Sequence, residues 1–300
     1  MFKNKIGFIR IDNRKYETIY EKIKRIVRKV FIIVKFETIE AGFLALIPEY
    51  IKYNTIIKFV IEKQINKIKR KNDIEEFVME DNLKLYKLDI DKKQLLDGKC
   101  FMKYSILKIF EYIFDYNRRM SLEDIYVFVN SYNEENLFFL NKLISKFKTV
   151  NIITQNLKAF RRLEEKLYKQ GILITVSNNK KKSSKMAKYV VNIDFSKSEF
   201  EKYNIRMDAI IINLTNECCF FTNRFNGVII NGINIKIDEN NNYYKNEFYG
   251  NINNTIYLES VLKTGSKNCL NIDEFYSKYN AQIIDVVGTR GVIQKCEFLA

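Results

Sequence analysis

The residues Asn130-Ser131-Tyr132-Asn133-Glu134-Glu135 join an apolar run, "DIYVFV", to an amphipathic segment, "NLFFLNKLISKF". A strand, turn and helix in this order can hold phosphate, because amides at a helix start point outward and the helix dipole favours anions. Glycine in such a turn lets backbone approach the anion closely, and this turn has none. Glu134 and Glu135 fall in the first helical turn, where each stabilises the dipole by roughly 0.3–1 kcal/mol. The same carboxylates repel a phosphate. Ser131 and Glu134 have the Ser-x-x-Glu spacing of a capping box, in which side chains satisfy the first amides. The turn is therefore expected to serve its own helix.

Other polar residues are expected on the same rim, at the carboxyl ends of later strands. "ITQN" ends the second strand with Gln155 and Asn156, and Arg161 and Arg162 follow in the next helix. These two Arg are read as solvent partners of Glu164 and Glu165 in preference to phosphate ligands. "SNNKKKSSKMAK" places Lys180, Lys181, Lys182, Lys185 and Lys188 beyond the third strand, as a solvated helix start or an anion site. "VVNID" sets Asn192 and Asp194 beyond the fourth. The candidate ligand-contacting set is Ser131, Asn133, Gln155, Asn156, Arg161, Lys181, Asn192 and Asp194. In "DVVGTRGVI", Gly288 and Gly291 flank Thr289 and Arg290, as a turn or an anion nest.

Absences limit the chemistry further. The 300 residues include no His, which excludes His-based triads, His general bases and His metal sites. Cys100, Cys218, Cys219, Cys269 and Cys296 show no C-x-x-C spacing, so no metal site is expected and thiols in a reducing cytosol are. No catalytic residue can be named. The net charge of +15 suits an anionic partner, but only twelve of the 51 cations are Arg, the residue that recognises phosphate by its fork. A solvated basic surface is preferred over nucleic-acid binding. No apolar run reaches a membrane span and the first residues lack a signal-peptide pattern, so a cytoplasmic protein is expected.

The elements that would position these residues follow from periodicity. Residues 1–94 read as an N-terminal α/β domain. It has strands at "KIGFIRI", "FIIVKFE", "GFLALIP" and "IEEFVME" and helices with stripes Tyr16, Ile19, Tyr20, Ile23, Ile26, Val27 and Ile57, Val60, Ile61, Ile65, Ile68. Cations lie between those stripes, as on a solvated face. Residues 95–120 read as a connecting helix striped by Ile106, Ile109, Phe110 and Ile113. Over 121–225, five apolar strands alternate with helices, the pattern of a doubly wound, mostly parallel sheet. Residues 226–300 read as a small α+β segment with an Asn-Gly hairpin in "GVIINGINIKID", a helix and a strand.

The order of an α/β unit, a helix opening with "DGKCFMKYSILKIF" and this alternation resembles the NAD(P)-binding domains of shikimate dehydrogenase and glutamyl-tRNA reductase over about residues 95–215. The resemblance implies a Rossmann-like sheet with NAD(P) at the first turn. The chain departs from the pattern where glycines should approach the pyrophosphate and where an Arg should read the 2′-phosphate. NAD(P) is thus disfavoured. The expected function is a non-catalytic scaffold, regulatory or atypical ligand-binding protein, with an anionic ligand or a protein as partner. An NAD(P)-dependent oxidoreductase with an unusual cofactor mode and a nucleic-acid-associated protein are the alternatives.

Overall fold

A computed structural model describes residues 5–12, 18–39, 42–50, 54–80, 83, 88–91, 94–114, 120–180, 185–217, 225–237, 253–264 and 272–298. In chain order the elements are β1 (Lys5–Ile11), α1 (Ile19–Val30), β2 (Lys35–Ile39), β3 (Gly42–Ile47), α2 (Thr55–Asn72), β4 (Ile74–Met79), α3 (Lys99–Tyr104) and α4 (Ile106–Ile113). They continue with β5 (Asp124–Phe128), α5 (Glu134–Ile144), β6 (Thr149–Ile153), α6 (Leu157–Tyr168), β7 (Ile174–Ser177), β8 (Tyr189–Asn192), α7 (Lys197–Phe200) and β9 (Ile210–Asn213). The last are β10 (Val228–Ile230), β11 (Gly232–Lys236), α8 (Asn254–Thr264), α9 (Ile272–Lys278), β12 (Gln282–Gly288) and β13 (Gly291–Ile293). The chain forms two compact units, Met1–Phe101 with Ile237–Asn280, and Met102–Lys236 with Ala281–Ala300.

In the first unit a four-stranded sheet has the order β2-β3-β1-β4, with only β2 antiparallel to its neighbour. Ile61 and Ile65 of α2 are buried in a core with Ile9, Ile47 and Phe77, and Ile57 and Ile68 pack on its edge. α1 faces the other way from the expected one. Its apolar stripe is exposed and Arg28 is its buried residue. The Arg28 guanidinium meets Asp12 at 2.6 Å and donates to the Leu46 carbonyl at 3.0 Å. Those bonds outrank the stripe: an unpaired buried Asp12 would cost more than exposed Ile and Val side chains do. The run "FIIVKFE" also divides. Phe31 and Ile33 close α1 by donating to Val27 and Arg28 carbonyls, and β2 starts at Lys35.

The second unit carries a six-stranded sheet, all parallel, in the order β7-β6-β5-β8-β9-β10. Counted from β5 this is 3-2-1-4-5-6, the Rossmann strand order, and its switch point lies between β5 and β8. β8 and β9 are buried on both faces, as helix-covered parallel strands must be, while the edge strand β7 buries only Ile174. Phe128 anchors one face. It meets Phe200 at 4.7 Å, Tyr203 at 5.2 Å and Phe195 at 5.4 Å edge-on, contacts worth about 0.5–1.5 kcal/mol each beyond burial.

Three local expectations are corrected in this unit. Asn231-Gly232 is no hairpin turn. β10 pairs parallel with β9 because Val228 and Ile230 bury there, and β11 then joins β12 and β13 in a separate antiparallel sheet. The expected helix at "KKSSKMAK" is a turn over 185–188, the described part; so short and polar a segment cannot sustain a helix. The connecting helix is two helices, α3 and α4, meeting at buried Ser105. All four of its stripe residues in α4 are buried.

Candidate functional site

The carboxyl ends of β5 and β8 define the crevice where Rossmann-like sheets bind ligands. Asp194, two residues beyond β8, points across it. Its Oδ1 accepts from the Asn130 amide at 2.7 Å and its Oδ2 from the Ser131 amide at 2.7 Å. A carboxylate thus sits on two consecutive amides of the turn between β5 and α5, just ahead of the helix start where an anion would be held. Asn130 extends the network, its Oδ1 accepting from the Gln155 amide at 2.8 Å beyond β6. Gln155 Nε2 donates to Glu199 at 3.2 Å. Hydrogen bonds from Ser196 hold the Glu199 carboxyl below the usual carboxylate range, so a second anion is fixed at this rim.

The expected capping box at Ser131 is not formed. With its amide committed to Asp194, Ser131 lies outside the helix, and Asn133 is the N-cap of α5, its Oδ1 accepting from the Asn136 amide at 2.8 Å. Asn136 is buried; it donates to the Ser131 carbonyl at 2.8 Å and accepts from Lys103 Nζ at 2.6 Å. Lys103 also pairs with Glu135 at 2.8 Å. Lys103, a cation beside this helix start, is therefore already engaged by the chain's own acid and amide groups.

Asn192 lies behind Asp194, fully buried. Its amide group donates to the Phe195 carbonyl and to Asn213 Oδ1, both at 3.1 Å, and its Oδ1 accepts from the Phe195 amide. These bonds end β8 in an Asx turn and aim Asp194 at the β5 turn. Asn213 Nδ2 in turn donates to Asn231 Oδ1 at 3.0 Å and to the Glu217 carbonyl at 2.8 Å. A row of side-chain amides so crosses the ends of β8, β9 and β10.

Of the candidate residues, Ser131, Gln155 and Asp194 meet in one network, and Asn192 and Asn133 support it. Asn156 and Arg161 are exposed at the start and in the first turns of α6. Lys181 lies outside the described residues, as do Lys182, Cys218, Cys219 and Cys269. Gly288 and Gly291 bound the Thr289-Arg290 turn of the β12–β13 hairpin. The candidate set lacks Asn130, Lys103, Asn136 and Asn213; for Asn130 and Asn213 a signal exists, since Asn directly follows each of "VFV", "YVV", "III" and "VII", whereas Lys103 and Asn136 carry none.

A second cluster lies in the first unit. Glu259 of α8 is buried, with Lys263 Nζ at 3.6 Å, and Lys263 pairs more closely with Glu76 of β4, at 2.5 Å. Burial pushes the Glu259 carboxyl up to about 7, and Lys263 only partly offsets it. This carboxyl can carry a proton near neutral pH. Among the described residues no group of three or more His, Cys, Asp or Glu is placed to hold a metal, and no helix is long and apolar enough to cross a membrane.

No protein-family model and no curated protein matches the chain. Among solved structures, a protein assigned as aspartate carbamoyltransferase from Trypanosoma cruzi is similar at 12% identity, over 71% of this chain and 70% of that one, with a TM-score of 0.24. One assigned as D-3-phosphoglycerate dehydrogenase from Ralstonia solanacearum is similar at 10% identity, over 71% and 75%, with a TM-score of 0.30. The chain is a mixed α/β protein whose six-stranded parallel sheet is Rossmann-like by its own strand order.

Proposed function

We propose that the second unit is a degenerate Rossmann-like domain, related in layout to the NAD(P)-binding domains of shikimate dehydrogenase and glutamyl-tRNA reductase, that serves as a non-catalytic scaffold or regulatory module. One observation carries the reading: the Asp194 carboxylate takes two consecutive amides of the turn that leads into α5, and so puts a negative charge beside the helix start where a dinucleotide phosphate would dock. Glu134, Glu135 and Glu199 add like charge around that position. A phosphate would have to displace a charge-assisted pair of bonds and approach three further carboxylates. A cytoplasmic setting belongs to the same proposal, supported by five Cys without paired spacing.

The test is thermal unfolding of the wild-type chain and of Asp194→Ala with NAD, NADPH and inorganic pyrophosphate. The wild type should not respond. Asp194→Ala should melt a few degrees lower without ligand and be raised by pyrophosphate, because two amides are vacated. A ligand bound at 100 times its Kd adds about 2.7 kcal/mol, a shift of several degrees. Such a shift of the wild type with NAD or NADPH would overturn the proposal and favour an oxidoreductase.

A further inference from the structure

Helix α1 is mounted inside out. Its polar side is fastened by Arg28 to Asp12 and the Leu46 carbonyl, by Arg25 to Glu49 at 2.8 Å, and by its Lys29 carbonyl, which accepts from Tyr50 at 2.6 Å. Its apolar side is left in solvent: Ile19 is 77% exposed, Tyr20 71%, Val30 68% and Phe31 69%, with Ile23 and Ile26 also open. The fastening is specific, since it includes a buried ion pair, and it fixes which side faces out.

The charge around that side identifies what it fits. At about 100° per residue, Ile19, Ile23, Ile26 and Val30 fall within roughly 60° of arc. Lys22 and Lys29 flank one edge and Lys24 the other. Glu21, the acidic residue of the helix, lies about 170° from the centre of that arc. Lys24 Nζ lies 5.7 Å over the Tyr20 ring and Lys29 Nζ 5.8 Å over the Tyr50 ring, and long apolar stems let such lysines carry their ammonium groups to an interface. A low overall hydrophobicity, an apolar side bearing aromatic residues and lysines at its borders are the features of a helix that lies in a membrane interface. A second copy would bring the same lysines face to face, in a chain of net charge +15.

We propose that α1 docks this unit on an anionic lipid surface, with Ile19, Ile23, Ile26, Val30 and Phe31 entering the headgroup boundary and Lys22, Lys24 and Lys29 meeting lipid phosphates. The full chain is tested by cosedimentation with phosphatidylcholine vesicles, with and without phosphatidylglycerol. Three lysines near the surface predict about 100-fold tighter binding to the anionic vesicles, weakening as salt is added. The chain has no Trp, so Phe31→Trp introduces a single reporter whose emission should shift to the blue on those vesicles. Ile23→Asp should lower binding at least about tenfold, and should leave the melting temperature unchanged because the side chain is exposed. Lys22→Gln with Lys24→Gln should cut the preference for anionic lipid roughly 30-fold, leaving the contribution of Lys29.

Equal binding by Ile23→Asp and wild type would overturn the proposal, leaving only diffuse charge attraction. So would an unshifted Phe31→Trp emission on vesicles that bind the chain. Absence of binding to anionic vesicles overturns it outright, and so does a wild-type dimer that Ile23→Asp dissociates, which would assign the face to a second copy.

Discussion

At the residue scale, the decisive group is an aspartate whose chemistry is spent on backbone. The candidate site is a set of satisfied amides and carboxylates, and its members differ in how replaceable they are. Asn192 is among the least replaceable, because its amide group donates two buried bonds. Asn192→Asp keeps the shape and loses both donors, leaving an acid facing the Phe195 carbonyl and Asn213 Oδ1. Unfolding by urea should show a loss of about 2–4 kcal/mol at neutral pH. Glu259 behaves differently because it is buried with its closest cation held more tightly by Glu76. Its folded-state carboxyl titrates near 7, against an ordinary value of 4.5. The folded chain therefore binds this proton more tightly than the unfolded chain. The stability it contributes is full below about pH 4.5 and is lost as pH rises through 7. Glu259→Gln should match the wild type near pH 5 and exceed it by on the order of 1–3 kcal/mol at pH 8, measured by denaturant unfolding at each pH.

At the scale of elements, the start of α5 separates what periodicity reveals from what it leaves open. The spacing of apolar residues marks a helix after Asn133, yet two capping schemes fit the same letters. Only the bond from the Ser131 amide to Asp194, 63 residues later in the chain, selects Asn133. Asn133→Ala should therefore cost about 1 kcal/mol, and Ser131→Ala close to nothing, in paired thermal melts. The reverse ranking would restore the Ser131 cap. The parallel strands were legible because each is a short run of apolar residues, and a strand buried on both faces needs no alternation to be recognised. β10 was read as half a hairpin because Asn-Gly is a local signal, while its pairing with β9 is set by burial. α1 teaches the same lesson about direction. Periodicity tells which residues share a side; it took Arg28 and Asp12 to decide which side is turned inward.

At the scale of the whole molecule, the two units carry different parts of the functional reading. The Rossmann-like order follows from how six strands are arranged, a long-range property that alternation implies only as a class. The site was partly legible: Ser131, Gln155 and Asp194 lie at strand ends, where α/β sheets place ligand contacts, and they do meet. Their joint role was not legible, since nothing local says that Asp194 reaches back to the first turn. Net charge was equally ambiguous in composition. Thirty-nine lysines spread over a surface and a few lysines bordering an apolar helix contribute to the same total, and composition does not separate them, whereas the exposed apolar side of α1 is visible only in the fold. The vesicle and pyrophosphate experiments address separate units, so either proposal can fail while the other stands.

The bond from Asp194 to the β5 turn has one more consequence. A protein that needs a nucleotide to fill its crevice is stabilised in proportion to how much nucleotide surrounds it, and it loosens when supply falls. Here the occupant is tethered to the same polypeptide, at an effective concentration fixed by the geometry of the sheet. The two hydrogen bonds that join the halves of the sheet at this point draw on no external supply.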